Sequence, residues 1–383
     1  MINGKICWVL GLMLSLACGA FLTSCKNDAQ ELETAVIDVK VDVETSALTS
    51  DFFSGWDYVA LETNDSCLIH SVRRYEFNDS LIVIQSGCEI LTFDRKGKFK
   101  SVFNRQGQGP EEYVHLDAFR LCNGLIYILD CDVRAISVYK TGGDFVRKIK
   151  LDSSYIDFFM VDEDEIVLAS GCYNSTKYAF AWADGNGEVK SRAGHYSQVH
   201  TVIMWDYTPF AGKRGDNLVV NAPFILTTFE LGEFELDPIA NYTFNTPKQL
   251  PELTLETVDI NKMVDITKNQ QLVRQLGHYC IKDSIAFQSF GLFELSSGGY
   301  GANLVKYDAR TGAQIAQIRL GVTESSEFPY IWGGRVGFYE DCLTEVRSAG
   351  SLLDTDDRNG SDFWATQGLT EDSNPVIFFY KLK

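Results

Sequence analysis

Short apolar runs, each bounded by polar turns, recur along most of this 383-residue chain. NDSLIVIQSGCEILTFDRKGKFKSVF (78–103) aligns with NGLIYILDCDVRAISVYKTGGDFVRKI (123–149). Both read as a polar turn, an apolar strand, a small or acidic turn, a strand ending in an aromatic, a glycine turn and a third strand. The plan returns at 163–192, loosely at 215–242, with a longer first loop at 282–320, and finally in GGRVGFYED (333–341) with NPVIFFYKLK (374–383). Strand starts fall at Ile82, Ile126, Ile166, Leu218, Ile285 and Val336, spaced by 44, 40, 52, 67 and 51 residues. Repeats of about 40–50 residues with four short strands are the mark of propeller blades. Gly142-Gly143 and Gly185-Asn186-Gly187 supply the positive-φ positions of tight hairpins.

The pattern predicts an all-β, six-bladed β-propeller. Its innermost strands are expected at 72–77, 116–121, 156–161, 200–205, 276–281 and 328–332. The last copy has three strands, so WDYVALET (56–63) is expected to close that blade as its outer strand and leave no long edge. Loops between second and third strands share one face with the connections between blades. The long segments 104–115, 243–275, 289–303 and 341–374 all fall on that face, while short turns fill the other. Asp259 followed by Ile260, Met263, Val264, Ile266 and Leu272 at helical spacing predicts one helical insertion, either a lid or a packed cap.

RQGQGPEEYVHLDAFRL followed by NGLIYILDCDVRAISVY resembles the NHL-like repeat and, more closely, the six-bladed β-propeller lipoproteins of Gram-negative bacteria. Gly107, Gly109, Pro110, Tyr113, Ile126, Tyr127 and Asp130 carry the likeness. It extends over about 55–383 by repeat pattern, with the loop motif clear once. The resemblance implies a propeller in the cell envelope, in a family whose members mostly lack an assigned activity.

The N-terminus agrees with that address. Lys5 precedes an apolar run from Ile6 to Leu22, and no acidic residue occurs before Cys25. The run is short for a membrane span, which needs about 20 residues, and has the layout of a signal peptide. Leu22-Thr23-Ser24-Cys25 resembles the bacterial lipobox, which implies lipidation of Cys25. The chain then divides into a signal peptide (1–24), a lipidated N-terminus and tether (25–50) and the propeller (51–383). The expected address is the outer membrane, on its periplasmic or surface side. The acidic stretch after Cys25 also resembles the surface-export signal of some outer-membrane lipoproteins.

Net charge is −18, and removing residues 1–24 takes away one lysine and no acid, leaving −19. That balance argues against nucleic acid as a partner, since phosphate binding needs clustered Lys and Arg. Beyond the signal and anchor, seven cysteines remain: Cys67, Cys88, Cys122, Cys131, Cys172, Cys280 and Cys342. Their odd number and the lack of any CxxC point to buried thiols rather than a disulfide framework or zinc site.

Catalytic signatures are missing: there is no GxSxG, no HExxH, and no GK[ST] after Gly107-Gln108-Gly109-Pro110. DTDDRNGSD (354–362) has Arg358 where a calcium loop needs an oxygen, and is read as a solvated turn. No cofactor or metal is expected. Candidate ligand-binding residues are Arg74, Arg105, Glu112, Tyr113, Arg120, Asp130, Asp132 and Arg134, at the mouth of the channel or on the loop-rich face. Aromatics near that face, among them Tyr173, Trp205, Tyr207, Tyr300, Trp332 and Trp364, suit stacking on a sugar or packing between blades. The expected function is a binding or scaffold module for a glycan, peptide or envelope protein. The alternative is a hydrolase or lyase using Glu112 with Asp130 or Asp132 as an acid/base pair.

Overall fold

The computed structural model describes residues 34–41, 48–170, 176–198, 208–267, 270–294, 299–321, 328–333, 336–354 and 360–383. The signal peptide, Cys25, Tyr173, Cys172, Trp205, Tyr207 and most of the 354–362 turn lie outside them.

The chain enters with β1 (Ala35–Val39), α1 (Thr49–Phe52) and β2 (Phe53–Ala60). Blade 1 comprises β3 (Arg74–Phe77), β4 (Leu81–Ser86), β5 (Glu89–Asp94) and β6 (Phe99–Phe103). Blade 2 comprises β7 (Ala118–Cys122), β8 (Leu125–Asp130), β9 (Ala135–Lys140) and β10 (Phe145–Lys150). Blade 3 comprises β11 (Asp157–Met160), β12 (Glu165–Ala169), β13 (Tyr178–Asp184) and β14 (Val189–His195). Blade 4 contains β15 (Phe210–Arg214), β16 (Asn217–Asn221), β17 (Thr227–Leu231) and β18 (Leu236–Phe244). After α2 (Ile260–Thr267), blade 5 runs through β19 (Val273–Lys282), β20 (Ile285–Glu294), β21 (Gly299–Asp308) and β22 (Gln314–Arg319). Blade 6 holds β23 (Val336–Tyr339), β24 (Cys342–Arg347), the short helices α3 (Ala349–Leu353) and α4 (Ser361–Thr366), and β25 (Val376–Leu382). These are six sheets, each built on four antiparallel strands, arranged as a β-propeller with first strands innermost.

Burial explains why the second strands read as unbroken apolar runs. In β4, Ile82 and Ile84 pack toward blade 6, while Val83 packs toward blade 2. A strand sandwiched between neighbouring blades must be apolar on both faces. The core is therefore a ring of inter-blade layers rather than one central cluster.

The ring closes as the sequence predicts: β2 pairs antiparallel with β25, from Phe53 opposite Leu382 to Ala60 opposite Val376. Arg95 of blade 1 lies across this seam, 5.2 Å from the ring of Phe77, 4.9 Å from Tyr339 and 5.6 Å from Phe379. Cation–π contact of this kind joins blades 1 and 6.

Several expectations are corrected. The innermost strand of blade 6 is β23, not 328–332. Gly333 has a φ of 73°, and Tyr330 and Ile331 are buried as part of the connection. Val336 thus starts a first strand, and the second strand, β24, was hidden in the segment read as the 341–374 loop. The 289–303 stretch is not a long loop, because β20 and β21 each run for ten residues through most of it. The expected inner strand at 200–205 lies outside the described residues, and β15 is the innermost strand of blade 4.

The largest difference concerns the tether. Ala35–Val39, placed in it by sequence, pairs in parallel with β18 as a fifth strand of blade 4. Ile37 and Val39 are fully buried beside Tyr242, Phe244 and Tyr307. On blade 5, a Cβ on Gly312 would come within 2.5 Å of the Val36 carbonyl oxygen. Gly97 and Gly187 abut the outer strand of the preceding blade in the same way, at Ala60 and Lys150. The third-to-fourth-strand turn of each of these blades docks on its neighbour's outermost strand, and β1 supplies that strand for blade 5. Lys40 and Gln314 exchange hydrogen bonds alongside.

Helix α2 is seated by its apolar stripe, with Ile260 and Met263 buried in the layer between blades 3 and 4. That is the packing of a cap.

Candidate functional site

Four charged side chains from the inner strands of blades 1, 2 and 3 meet in the central channel. Arg74 donates Nη1 and Nη2 to the two carboxylate oxygens of Asp157, each at 3.0 Å. Arg120 donates Nη2 to Asp157 Oδ1 and Nη1 to Glu76 Oε1, both at 2.7 Å, and Nε to the Phe158 carbonyl. The other Glu76 oxygen accepts the Leu121 amide at 2.8 Å. Alternation places these groups: Arg74 and Glu76 are two apart on β3 and share a face, while Tyr75 and Phe77 turn the other way, toward blade 6. Two cations face two anions, and the side chains retain between 8% and 27% of their accessible surface.

Burial alone would raise the Asp157 carboxyl, but Arg120 and Arg74 outweigh it and hold it below its usual range. Arg120 is the mirror image: burial favours losing its proton, and Asp157 and Glu76 more than reverse that. His278 on β19 faces the same charges. Burial, then the fields of Arg74 and Arg120, push its imidazole down to about 4, against a hydrogen bond to the Ala211 backbone. His278 is neutral at neutral pH. Glu76, Asp157 and His278 were not singled out from sequence. The available signal was a charged residue in the middle of an inner strand, as in YIDFF (155–159).

On the loop-rich face, residues 104–113 form a tight blade-to-blade connection. The Gly107 amide donates to the Tyr113 carbonyl at 2.9 Å, and the Tyr113 amide to the Arg105 carbonyl at 3.1 Å. Glu112 turns back into the loop, where Oε2 accepts the Gly109 amide at 2.8 Å. A Cβ on Gly107 would collide with that same carboxylate, so glycine there is what lets Glu112 fold back onto the loop. Tyr113 is fully buried, and its hydroxyl donates to the Cys88 carbonyl at 2.6 Å. Burial pushes that hydroxyl well above its ordinary range. The Arg105 guanidinium donates to the Gly143 carbonyl at 3.1 Å.

Asp130 is also fully buried. Oδ2 accepts the amides of Val114 and His115, and Oδ1 those of Asp132 and Val133. Asp132 is exposed and stands 3.3 Å from His115. Arg134 takes the left-handed backbone position of its turn, with φ 52°. The structure therefore brings Arg74 and Arg120 together in the channel and places Arg105, Glu112, Tyr113 and Asp130 in backbone-fixing roles. Glu112 and Asp130 each spend an oxygen or more on amides. Trp332 is half exposed on this face and Trp364 is buried. Among the described residues, no group of three His, Cys, Asp or Glu side chains gathers as a metal site. Cys67, Cys88, Cys122, Cys131, Cys280 and Cys342 are free thiols, and burial pushes Cys280 up to about 11.

The chain resembles solved structures in fold. An exported protein, by its description, from Bacteroides fragilis NCTC 9343 superposes with a TM-score of 0.67 at 18% identity, covering 91% of this chain and 100% of that one. A member of the DUF4221 family from Bacteroides vulgatus ATCC 8482 gives 0.53 at 11% identity, covering 86% and 98%. At such identities the likeness is one of architecture, which many functions share. No curated protein matches the chain. A family model does, across nearly the whole described propeller and including β1: by its match over residues 34–381, the chain belongs to DUF4934, a domain of unknown function.

Proposed function

We propose that the protein is a lipid-anchored binding or scaffold module of the cell envelope, presenting its loop-rich propeller face to a glycan, peptide or envelope protein. One observation carries the preference for binding over catalysis. Asp157 is held as an anion by Arg120 and Arg74, and its oxygens, like those of Glu76, are committed to guanidinium and amide donors. A general acid or base needs a proton affinity near the working pH and a free oxygen toward substrate. The description of the Bacteroides fragilis neighbour as exported supports an address outside the cytoplasm, as does the Leu22–Cys25 motif. No helix of the described residues is long and apolar enough to cross a membrane.

Arrays of glycans and peptides probed with the purified protein test the reading. Binding to one class, abolished by changes on the loop-rich face and kept after changes to the short hairpins opposite, is the expected result. Turnover of an arrayed substrate would replace the reading with the hydrolase or lyase alternative.

A further inference from the structure

A groove of about 780 Å³ opens on the loop-rich face at the seam where the ring closes. One wall is the connection from β2 to β3, with Leu68 to Val72; the other comes from Val346, Ser348 and Ala349 and from Glu371 to Pro375. Its volume falls in the range of ligand sites. The walls are pinned together by Asn374, which is 3% exposed. Its Nδ2 donates to the carbonyls of Glu62 and Cys67 at 2.6 and 2.7 Å, and its Oδ1 accepts the Ile69 amide at 2.8 Å. The groove is thus formed before any partner arrives.

Its chemistry is two-sided. Leu68, Ile69, Val72, Val346 and Pro375 make an apolar floor, and Leu68 keeps 42% of its surface exposed. Glu371 and Asp372 stand exposed at the rim, on a turn held by Thr370 and Ser373. No ion pair or side-chain hydrogen bond engages either carboxylate among the described residues. No lysine or arginine lines the groove.

From this complementarity we propose that the groove docks a basic peptide segment whose cationic side chains alternate with apolar ones. The cations meet Glu371 and Asp372, and the apolar side chains lie on the floor. Desolvated apolar contact holds such a segment, and charge at the rim selects its sign. The proposal rests on the reading of the loop-rich face as a binding surface and gives it one site and one partner class.

The test is fluorescence anisotropy on the purified protein with a labelled heptapeptide of alternating lysine and leucine, against its glutamate–leucine counterpart. The basic peptide should bind and the acidic one should not. Glu371→Gln with Asp372→Asn should weaken binding roughly tenfold and flatten its salt dependence. Leu68→Ser should weaken it several-fold with the salt dependence intact. Asp164→Asn with Glu165→Gln makes the same change in net charge on the opposite face and should leave binding unaltered. Equal loss in both double variants, or no preference for the basic peptide, would overturn the proposal. Array binding that survives Glu371→Gln with Asp372→Asn would overturn this groove while leaving the broader face reading standing.

Discussion

Arg74 of blade 1 grips Asp157 of blade 3 through two parallel hydrogen bonds of 3.0 Å, passing over the blade that lies between them in sequence. Asp157 also holds Arg120 of blade 2, so one carboxylate ties three inner strands together. Removing it leaves two guanidiniums facing each other in a partly dry channel. Asp157→Ala should cost about 3–5 kcal/mol of stability, the loss seen when one member of a buried ionic set is deleted. Urea unfolding followed by circular dichroism measures it; a cost below about 1 kcal/mol would mean the channel charges are solvated.

The imidazole of His278 implies a pH dependence. The unfolded chain takes up this proton near the ordinary 6.5, whereas the folded chain takes it only near 4. Stability from this group is therefore complete above about pH 6.5 and is lost as pH falls toward 4. Because His278 is not wholly buried, the loss should be about 1–3 kcal/mol. His278→Gln should flatten the unfolding midpoint between pH 6.5 and 4. The Asp157 contribution should fade only below that carboxyl's ordinary 3.8, because its folded form stays ionised longer.

Gly107 and Glu112 make a coupled pair. Gly107→Ala drives a methyl into the Glu112 carboxylate and should cost about 1–3 kcal/mol. Adding Glu112→Ala removes the obstacle along with its bond to the Gly109 amide. A double-mutant cycle should show the two changes together costing less than their sum.

Ile37 tests whether the added strand of blade 4 is integral. It is fully buried, so Ile37→Ala should cost about 2–5 kcal/mol, in the manner of a core cavity. Deleting 34–39 should loosen blade 5 as well, read as faster amide exchange in the Gly312 turn. Unchanged exchange there would show the strand to be peripheral.

Cys25→Ala should abolish labelling by a radioactive or clickable fatty acid and release the protein from the membrane fraction. Retained labelling would refute the proposed lipid anchor.

Architecture was legible because inter-blade packing writes itself into sequence. A strand buried on both sides becomes LIYIL or LIVI, and the turn that must approach a neighbour becomes Gly143 or Gly187. In blade 6 the strand CLTEVR (342–347) does not look like one because it carries Thr344, Glu345 and Arg347, whose burial relies on Tyr75 of blade 1 and on the backbone of Gly333 and Tyr330. Strand β1 escaped because AVIDV is short and follows an acidic stretch; only its parallel partner β18 makes it a strand. Among the candidate residues, Arg74 and Arg120 were found by their place on inner strands. Their partners Glu76, Asp157 and His278 were not, since convergence in a channel depends on the angular order of blades. The glycine loop was visible as a loop, but the inward turn of Glu112 and Tyr113 depends on which amides lie within reach.

The parallel strand β1 and the closing strand β2 also set an order of events during synthesis. Both are made first, yet Ala35 pairs with Ala240 and Ala60 with Val376. Strand β1 cannot find its place until β18 has left the ribosome, nor β2 until β25 has. Contacts this distant in sequence make ring completion a late step. The nascent chain thus carries β1 unclaimed until β18 is made, and β2 unclaimed for longer still, until β25 is made and commits the ring.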